Sequence, residues 1–101
     1  MNAQETVAEF LAEHELDSEP AYRILDLASE VGELAKDVND STDYGAEPEE
    51  VDVKTDELGD ALFSLLAVAE SLDVDAEEAL DEALAKYRAR IEATGDPGSG
   101  E

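Results

Sequence analysis

The chain has 101 residues, of which 29 are acidic and 6 are Lys or Arg, so its net charge is -23. A chain of this length forms a single domain, and this charge argues against nucleic acid or membrane partners because both require positive protein surfaces. The chain contains no cysteine, which excludes disulfides and thiolate metal sites. No apolar run approaches the roughly 20 residues of a membrane span.

The spacing of the large apolar residues predicts four helical segments and no strand, so we expect an all-α fold. Ser18 and Asp75 are expected to cap the second and fourth helices. The predicted helices cover residues 3–16, 19–38, 49–72 and 75–93, with a turn-rich loop at residues 39–48. Residues 1–93 form the predicted helical domain, and residues 94–101 form a flexible carboxyl-terminal tail.

The second helix carries an apolar stripe and, on a separate side, a column of acidic residues. A wheel at about 100° per residue predicts that one face packs into the core. The residues of this stripe are Ile24, Leu27, Ala28, Val31, Leu34, Ala35 and Val38. Asp26, Glu30, Glu33 and Asp37 form the acidic column. Like charges one turn apart destabilise a helix, but this column taken alone is more simply explained as the solvated face of an acidic protein.

The third helix contains the run LGDALFSLLAVA at residues 58–69, in which only Asp60 and Ser64 are polar. A helix that is apolar around its whole girth is typical of a buried element, so we expect Asp60 at or near a buried surface. A buried carboxylate must be protonated, paired or bound to a metal. Glu57 lies three residues before Asp60 and therefore on the same side of the helix.

If the second and third helices pack antiparallel, Glu30 and Glu33 can meet Glu57 and Asp60. A hard divalent cation would neutralise such a cluster, and Mg²⁺ commonly bridges carboxylates to substrate phosphates. Facing helices with paired acidic residues are an established way to build a metal site in a bundle. The sequence therefore predicts a divalent-metal site between these two helices.

These motifs resemble those of a known enzyme family. LASEVGELAKDV contains Glu30 and Glu33, TDELGDALFSLL contains Glu57 and Asp60, and KYRAR follows at residues 86–90. In this order they are similar to the Glu-x-x-Glu, Glu-x-x-Asp and Lys-aromatic-x-x-Arg motifs of the MazG-like nucleotide pyrophosphohydrolases, the all-α NTP pyrophosphatases. The resemblance covers residues 25–91.

The resemblance implies an oligomeric helical bundle, a homodimer or homotetramer, with sites near the subunit interface. It implies that Glu30, Glu33, Glu57 and Asp60 hold Mg²⁺ or Mn²⁺ and carry catalysis. The substrate would be a nucleoside triphosphate, hydrolysed to the monophosphate and pyrophosphate in nucleotide-pool house-cleaning. Lys86 and Arg90 would bind its phosphates. Lys54 precedes Glu57 by three residues, and phosphate binding and pairing with an acid are equally good interpretations of it.

Two alternatives remain open at this stage. Phosphoribosyl-ATP pyrophosphatase is a similar helical enzyme with a different substrate. A non-catalytic acidic helical module that binds a basic partner protein would also explain the charge, but it gives no reason for Asp60 to interrupt an apolar run. The acids are spread over the chain and the amino terminus lacks signal-peptide features, so we expect a cytoplasmic protein of a salt-accumulating halophile.

Overall fold

The computed structural model describes residues 2–98, which form four helices and no strand, as the sequence predicted. The helices are α1 (Ala3–Glu13), α2 (Pro20–Ser41), α3 (Thr55–Ser71) and α4 (Ala76–Thr94), with a 3₁₀ turn at Pro48–Glu50. No helix within residues 2–98 combines the length and hydrophobicity that crossing a bilayer requires. Residues 99–101 of the predicted tail lie outside the described part of the chain.

The connection between α1 and α2 differs from the prediction at both ends. α1 ends at Glu13 instead of residue 16, and Glu15 takes a positive φ of 53° that no helix continues. α2 begins at Pro20, with Glu19 in the N-cap position, so the predicted Ser18 cap is wrong. Proline explains the start, because its fixed φ suits the first helical position and its missing N–H needs no acceptor there.

α2 extends three residues beyond the predicted boundary and ends at Ser41. The buried Thr42 hydroxyl donates to the Val38 carbonyl at 2.6 Å and accepts the Gly45 N–H at 2.9 Å. The Ser41 hydroxyl donates to the Asp37 carbonyl at 2.7 Å. Turn-forming residues therefore complete the last turn of the helix here, instead of ending it early.

α3 begins at Thr55, so the prediction of a helix from residue 49 is wrong. The segment after the 3₁₀ turn is extended, because side chains near the end of α2 hold it. Ser41 Oγ accepts the Asp52 N–H at 2.9 Å, and Asp37 Oδ2 accepts the Lys54 N–H at 3.3 Å. The α4 boundary is close to the prediction, since the Asp75 carboxylate caps the helix as expected.

The core is small and centres on α3, which packs against α1 and α2. Its buried side chains are Val7, Leu11, Leu66 and Ala67, with Phe63 and Ala76 packed against them. No residue of α2 is buried in the single chain, and Val31 of the predicted core stripe is 51% exposed. Asp60, Leu58 and Leu62 are exposed as well, so the expectation that α3 is buried around its girth is wrong for one chain.

The single chain is more open than a compact domain of its length. Its radius of gyration is 16.5 Å, against about 13 Å for a compact chain of this size. Its accessible surface is 7475 Å², against about 5,500 Å² for a monomer of 10.8 kDa. Leu80, Leu84, Tyr87 and Ile91 of α4 are each at least 36% exposed. Much of the apolar surface of the helices is therefore uncovered in the single chain, including positions that the sequence predicted to be in the core.

Candidate metal centre

The acidic residues of α2 and α3 face each other because the two helices run antiparallel. Glu30 lines a cleft with Asp60, whereas Asp37, seven residues further along α2, meets Glu57 near the start of α3. Rising residue numbers on α2 thus pair with falling numbers on α3. This register places both acidic motifs along one helix–helix contact.

Glu30 and Asp60 share an open cleft of about 320 Å³ between the two helices. Asp26, Ser29, Phe63 and Ser64 also line it. Three carboxylates and two hydroxyls give the cleft hard oxygen donors, which are the groups that Mg²⁺ prefers. The exposure of Asp60 in this cleft leaves its carboxylate accessible to an ion or a phosphate from solvent.

Glu57 and Asp37 form the second acidic contact. A hydrogen bond with Asp37, together with burial and the negative charges of Asp37 and Glu33, raises the pKa of Glu57. The same hydrogen bond, followed by the Lys54 backbone N–H and the positive charges of Lys54 and Lys36, outweighs burial and lowers the pKa of Asp37. As pH falls, Glu57 is therefore the member of the pair that takes up a proton first.

Glu57 Oε2 is buried, and none of the described residues donates a hydrogen bond to it. A hydrogen bond between the Glu57 and Asp37 carboxyl groups forms only when one of the two is protonated. A buried oxygen acceptor without a donor is a costly arrangement unless a cation or a proton satisfies it. This atom, beside further carboxylates on α2, fits a divalent metal.

The four predicted ligands are not gathered into one compact group. Within residues 2–98, no three acidic or histidine side chains converge closely enough to hold a metal ion. Glu30 and Asp60 instead line one cleft, whereas Glu57 meets Asp37, and Glu33 acts on Glu57 only through its charge. Repulsion between like charges explains the separation, because only a cation can draw four carboxylates together.

The predicted phosphate-binding residues lie apart from these pairs. Lys54 stands at the N-cap of α3 beside Asp37, with its charge acting on both Asp37 and Glu57. The Lys86 ammonium lies 5.3 Å from the centre of the Tyr87 ring, and Arg90 Nη1 donates to the Pro97 carbonyl at 3.4 Å. Lys86 and Arg90 are both on α4. Of the three predicted phosphate-binding residues, the described chain therefore brings Lys54 alone to the Asp37–Glu57 contact.

A larger groove of about 730 Å³ continues along the same pair of helices, toward the start of α2. Its walls come from α1, the α1–α2 connection, α2 and α3, and they include Ser18, Tyr22, Arg23 and Ser71. Sequence patterns did not predict this groove, because its α3 wall lies more than 40 residues further along the chain than its other walls. Asp37 was visible only as the last member of the acidic column, without a distinct role.

Comparison with known proteins places these features in a family. Residues 19–94 match the model of the MazG nucleotide pyrophosphohydrolase domain. The uncharacterized protein YpjD of Bacillus subtilis (strain 168) is 43% identical over 68 residues. That match spans 63% of this chain and 60% of the length of YpjD.

The fold also matches a solved structure. The crystal structure of YPJD from Bacillus subtilis, a candidate pyrophosphatase, superposes with a TM-score of 0.70 and 34% identity. The match covers 86% of this chain and 90% of that one. The two proteins therefore share their helical arrangement. The chain thus belongs to the MazG nucleotide pyrophosphohydrolase family, as its paired acidic motifs predicted.

Proposed function

We propose that this protein is a divalent-metal-dependent pyrophosphohydrolase of nucleoside triphosphates. The substrate, a ribo- or deoxyribonucleotide, reacts with water and gives the monophosphate and pyrophosphate, a reaction suited to nucleotide-pool house-cleaning. The observation that carries this proposal is the buried Glu57 oxygen without a donor, placed among carboxylates where α2 faces α3. In a family of nucleotide pyrophosphohydrolases, that atom is best explained as a metal ligand.

Glu30, Glu33, Glu57 and Asp60 are the residues that would hold the metal, Mg²⁺ or Mn²⁺. When bound, the metal supplies positive charge against the phosphates and lowers the pKa of an attacking water. One carboxylate of the site accepts the proton that this water loses as its oxygen bonds to phosphorus. The bridging oxygen between the α and β phosphates leaves with pyrophosphate, so atoms and charge balance.

In this proposal the two clefts bind different parts of the substrate. The acidic cleft at Glu30 and Asp60 faces the phosphates, and the adjoining larger groove receives the nucleoside. Tyr22 offers a ring for base stacking there, and the Ser18 hydroxyl offers a polar contact. Lys54 reaches the phosphates from the start of α3.

The active form is a homodimer or homotetramer in this proposal. The single chain exposes roughly 2,000 Å² more surface than a compact monomer, which exceeds the ~800 Å² that each partner contributes to a standard interface. The α4 stripe of Leu80, Leu84, Tyr87 and Ile91 has the spacing of a helix–helix seam. Packing this stripe against another copy would move Lys86 and Arg90 beside acidic residues that the single chain does not bring to them.

The acidic shell suits the cytoplasm of a salt-accumulating halophile. At a net charge of -23 the chain repels itself, and molar salt shortens the screening length to about 3 Å. The folded protein should therefore melt at a higher temperature in molar KCl than in dilute buffer. An unchanged melting temperature would contradict the halophilic interpretation.

A substitution in the acidic column tests the catalytic proposal. Glu33→Gln removes a metal ligand charge at nearly constant shape and should reduce pyrophosphate release more than about 100-fold. Glu49→Gln removes the same charge from an exposed position in the 3₁₀ turn and should retain wild-type activity. Pyrophosphate release is measured in molar KCl with Mg²⁺ and with EDTA.

The outcomes separate the alternatives. Full activity of Glu33→Gln would exclude the proposed metal site. Activity on phosphoribosyl-ATP but on no nucleoside triphosphate would reassign the substrate. A folded wild-type protein without activity on either would favour the acidic protein-binding module.

A further inference from the structure

The end of α2 holds the start of α3 through two hydrogen bonds to backbone amides. Ser41 Oγ accepts the Asp52 N–H at 2.9 Å, and Asp37 Oδ2 accepts the Lys54 N–H at 3.3 Å. No side chain of α3 itself caps that helix within the described residues, because Lys54 occupies the N-cap position. Two side chains that are 11 and 17 residues away in sequence thus hold the segment that leads into α3.

Asp37 has a second contact that Ser41 lacks. Its half-buried carboxyl group lies beside the carboxyl group of Glu57, in the first turn of α3, where the two can share a hydrogen bond once one of them is protonated. Glu57 Oε2 is buried and meets no donor among residues 2–98. The Asp37 contact is therefore the one that restrains which way the Glu57 carboxyl plane faces.

We propose that Asp37 is a positioning residue that fixes Glu57 in the orientation required to bind the metal. The Asp37 carboxyl group contacts both the Lys54 N–H, just before α3, and the carboxyl group of Glu57. One side chain therefore sets the position of Glu57 relative to the start of its own helix. Partners that orient metal ligands in this way contribute to metal affinity without touching the ion. This inference rests on the proposed function, since it assumes that Glu57 is a ligand.

A simple structural role would make Asp37 and Ser41 equivalent. Both hold the segment before α3 to α2, but only Asp37 reaches Glu57. Ser41→Ala is therefore the matched control, because it loosens the same segment and leaves the Glu57 contact in place. Asp37→Asn is the conservative variant: its amide oxygen can accept the Lys54 N–H and its amide N–H can donate to Glu57.

The test measures Mn²⁺ affinity by electron paramagnetic resonance of the free ion, together with thermal unfolding of the metal-free protein. Asp37→Ala should weaken Mn²⁺ binding about 10- to 100-fold, as the loss of a ligand-orienting partner does elsewhere. Ser41→Ala should lower the melting temperature and leave the affinity near that of the wild type. Asp37→Asn should retain most of the affinity. If Asp37→Ala does not fold, Asp37→Ser replaces it with the same expected loss, since its short hydroxyl cannot bridge both partners.

Three results would overturn the inference alone, given a wild-type protein that binds Mn²⁺. The first is an unchanged affinity in Asp37→Ala. The second is an equal loss of affinity in Ser41→Ala, which would reveal a purely structural role. The third is a loss in Asp37→Asn as large as in Asp37→Ala, which would make Asp37 a ligand itself. A wild-type protein that binds no Mn²⁺ would instead overturn the proposed function, and this inference with it.

Discussion

At the residue scale, Asp37 and Glu57 meet between α2 and α3, and their pKa values move in opposite directions. The pKa of Glu57 is raised by the hydrogen bond to Asp37, by burial and by nearby negative charge, whereas that of Asp37 is lowered by the same hydrogen bond. Folding therefore favours protonated Glu57, and this contribution to stability is lost as pH rises through the raised pKa. The ionised Asp37 carboxylate also stabilises the fold, but with the opposite pH dependence: its contribution is lost as pH falls through its lowered pKa.

Glu57→Gln should consequently stabilise the metal-free fold at neutral pH. Its uncharged amide can donate to Asp37 without needing a proton, and the advantage should vanish in acid, where wild-type Glu57 is protonated. Unfolding midpoints in EDTA at neutral and acidic pH check this. Glu49→Gln controls for the general loss of one charge, and an equal gain in that variant would contradict the local explanation.

At the scale of elements, apolar spacing was enough to predict each helix, and Asp75 was enough to predict where α4 begins. The end of α2 and the start of α3 were not predictable in this way. The Ser41 and Thr42 hydroxyls complete the last turn of α2. The start of α3 depends on Ser41 and Asp37 accepting backbone amides 11 and 17 residues away, and local sequence does not show such contacts. The role of Asp37 was hidden for the same reason, since it follows from the register between α2 and α3.

Thr42 tests how α2 ends. Thr42→Val keeps the shape of this buried side chain but leaves the Gly45 N–H without its acceptor. We expect a loss of about 1–3 kcal/mol in the free energy of unfolding, which is the usual cost of an unsatisfied buried group. Thr42→Ser retains the hydroxyl and should lose much less. A Thr42→Val variant as stable as the wild type in urea unfolding, beside a destabilised Thr42→Ser, would show that the methyl group, and not the hydrogen bonds, stabilises the turn.

At the scale of the whole molecule, the exposed apolar faces explain why helix patterning misjudged burial. Val31 on α2 and Leu62 on α3 lie on apolar stripes, yet they are 51% and 52% exposed in one chain. Amphipathic periodicity indicates that a helix face will be covered. It does not show whether the covering element belongs to the same chain or to another copy of it. The excess surface of the single chain favours another copy.

Leu84→Glu should therefore disrupt the proposed oligomer. It places a charge within the α4 stripe, where Leu84 is 36% exposed in the single chain. Light scattering in molar KCl should give a dimer or tetramer for the wild type and a smaller mass for the variant. Ala79→Glu, also exposed on α4 but outside the stripe, should leave the mass unchanged. A monomeric wild-type protein would contradict the oligomer.

The identity of the products made from a nucleoside triphosphate tests the proposed pyrophosphohydrolase activity most directly. Canonical and modified nucleotides are incubated with the wild-type protein in molar KCl, with Mg²⁺ or with EDTA, and phosphorus NMR resolves the products. We expect equal amounts of nucleoside monophosphate and pyrophosphate, formed with Mg²⁺ and not with EDTA. Nucleoside diphosphate with inorganic phosphate, or hydrolysis that persists in EDTA, would contradict it.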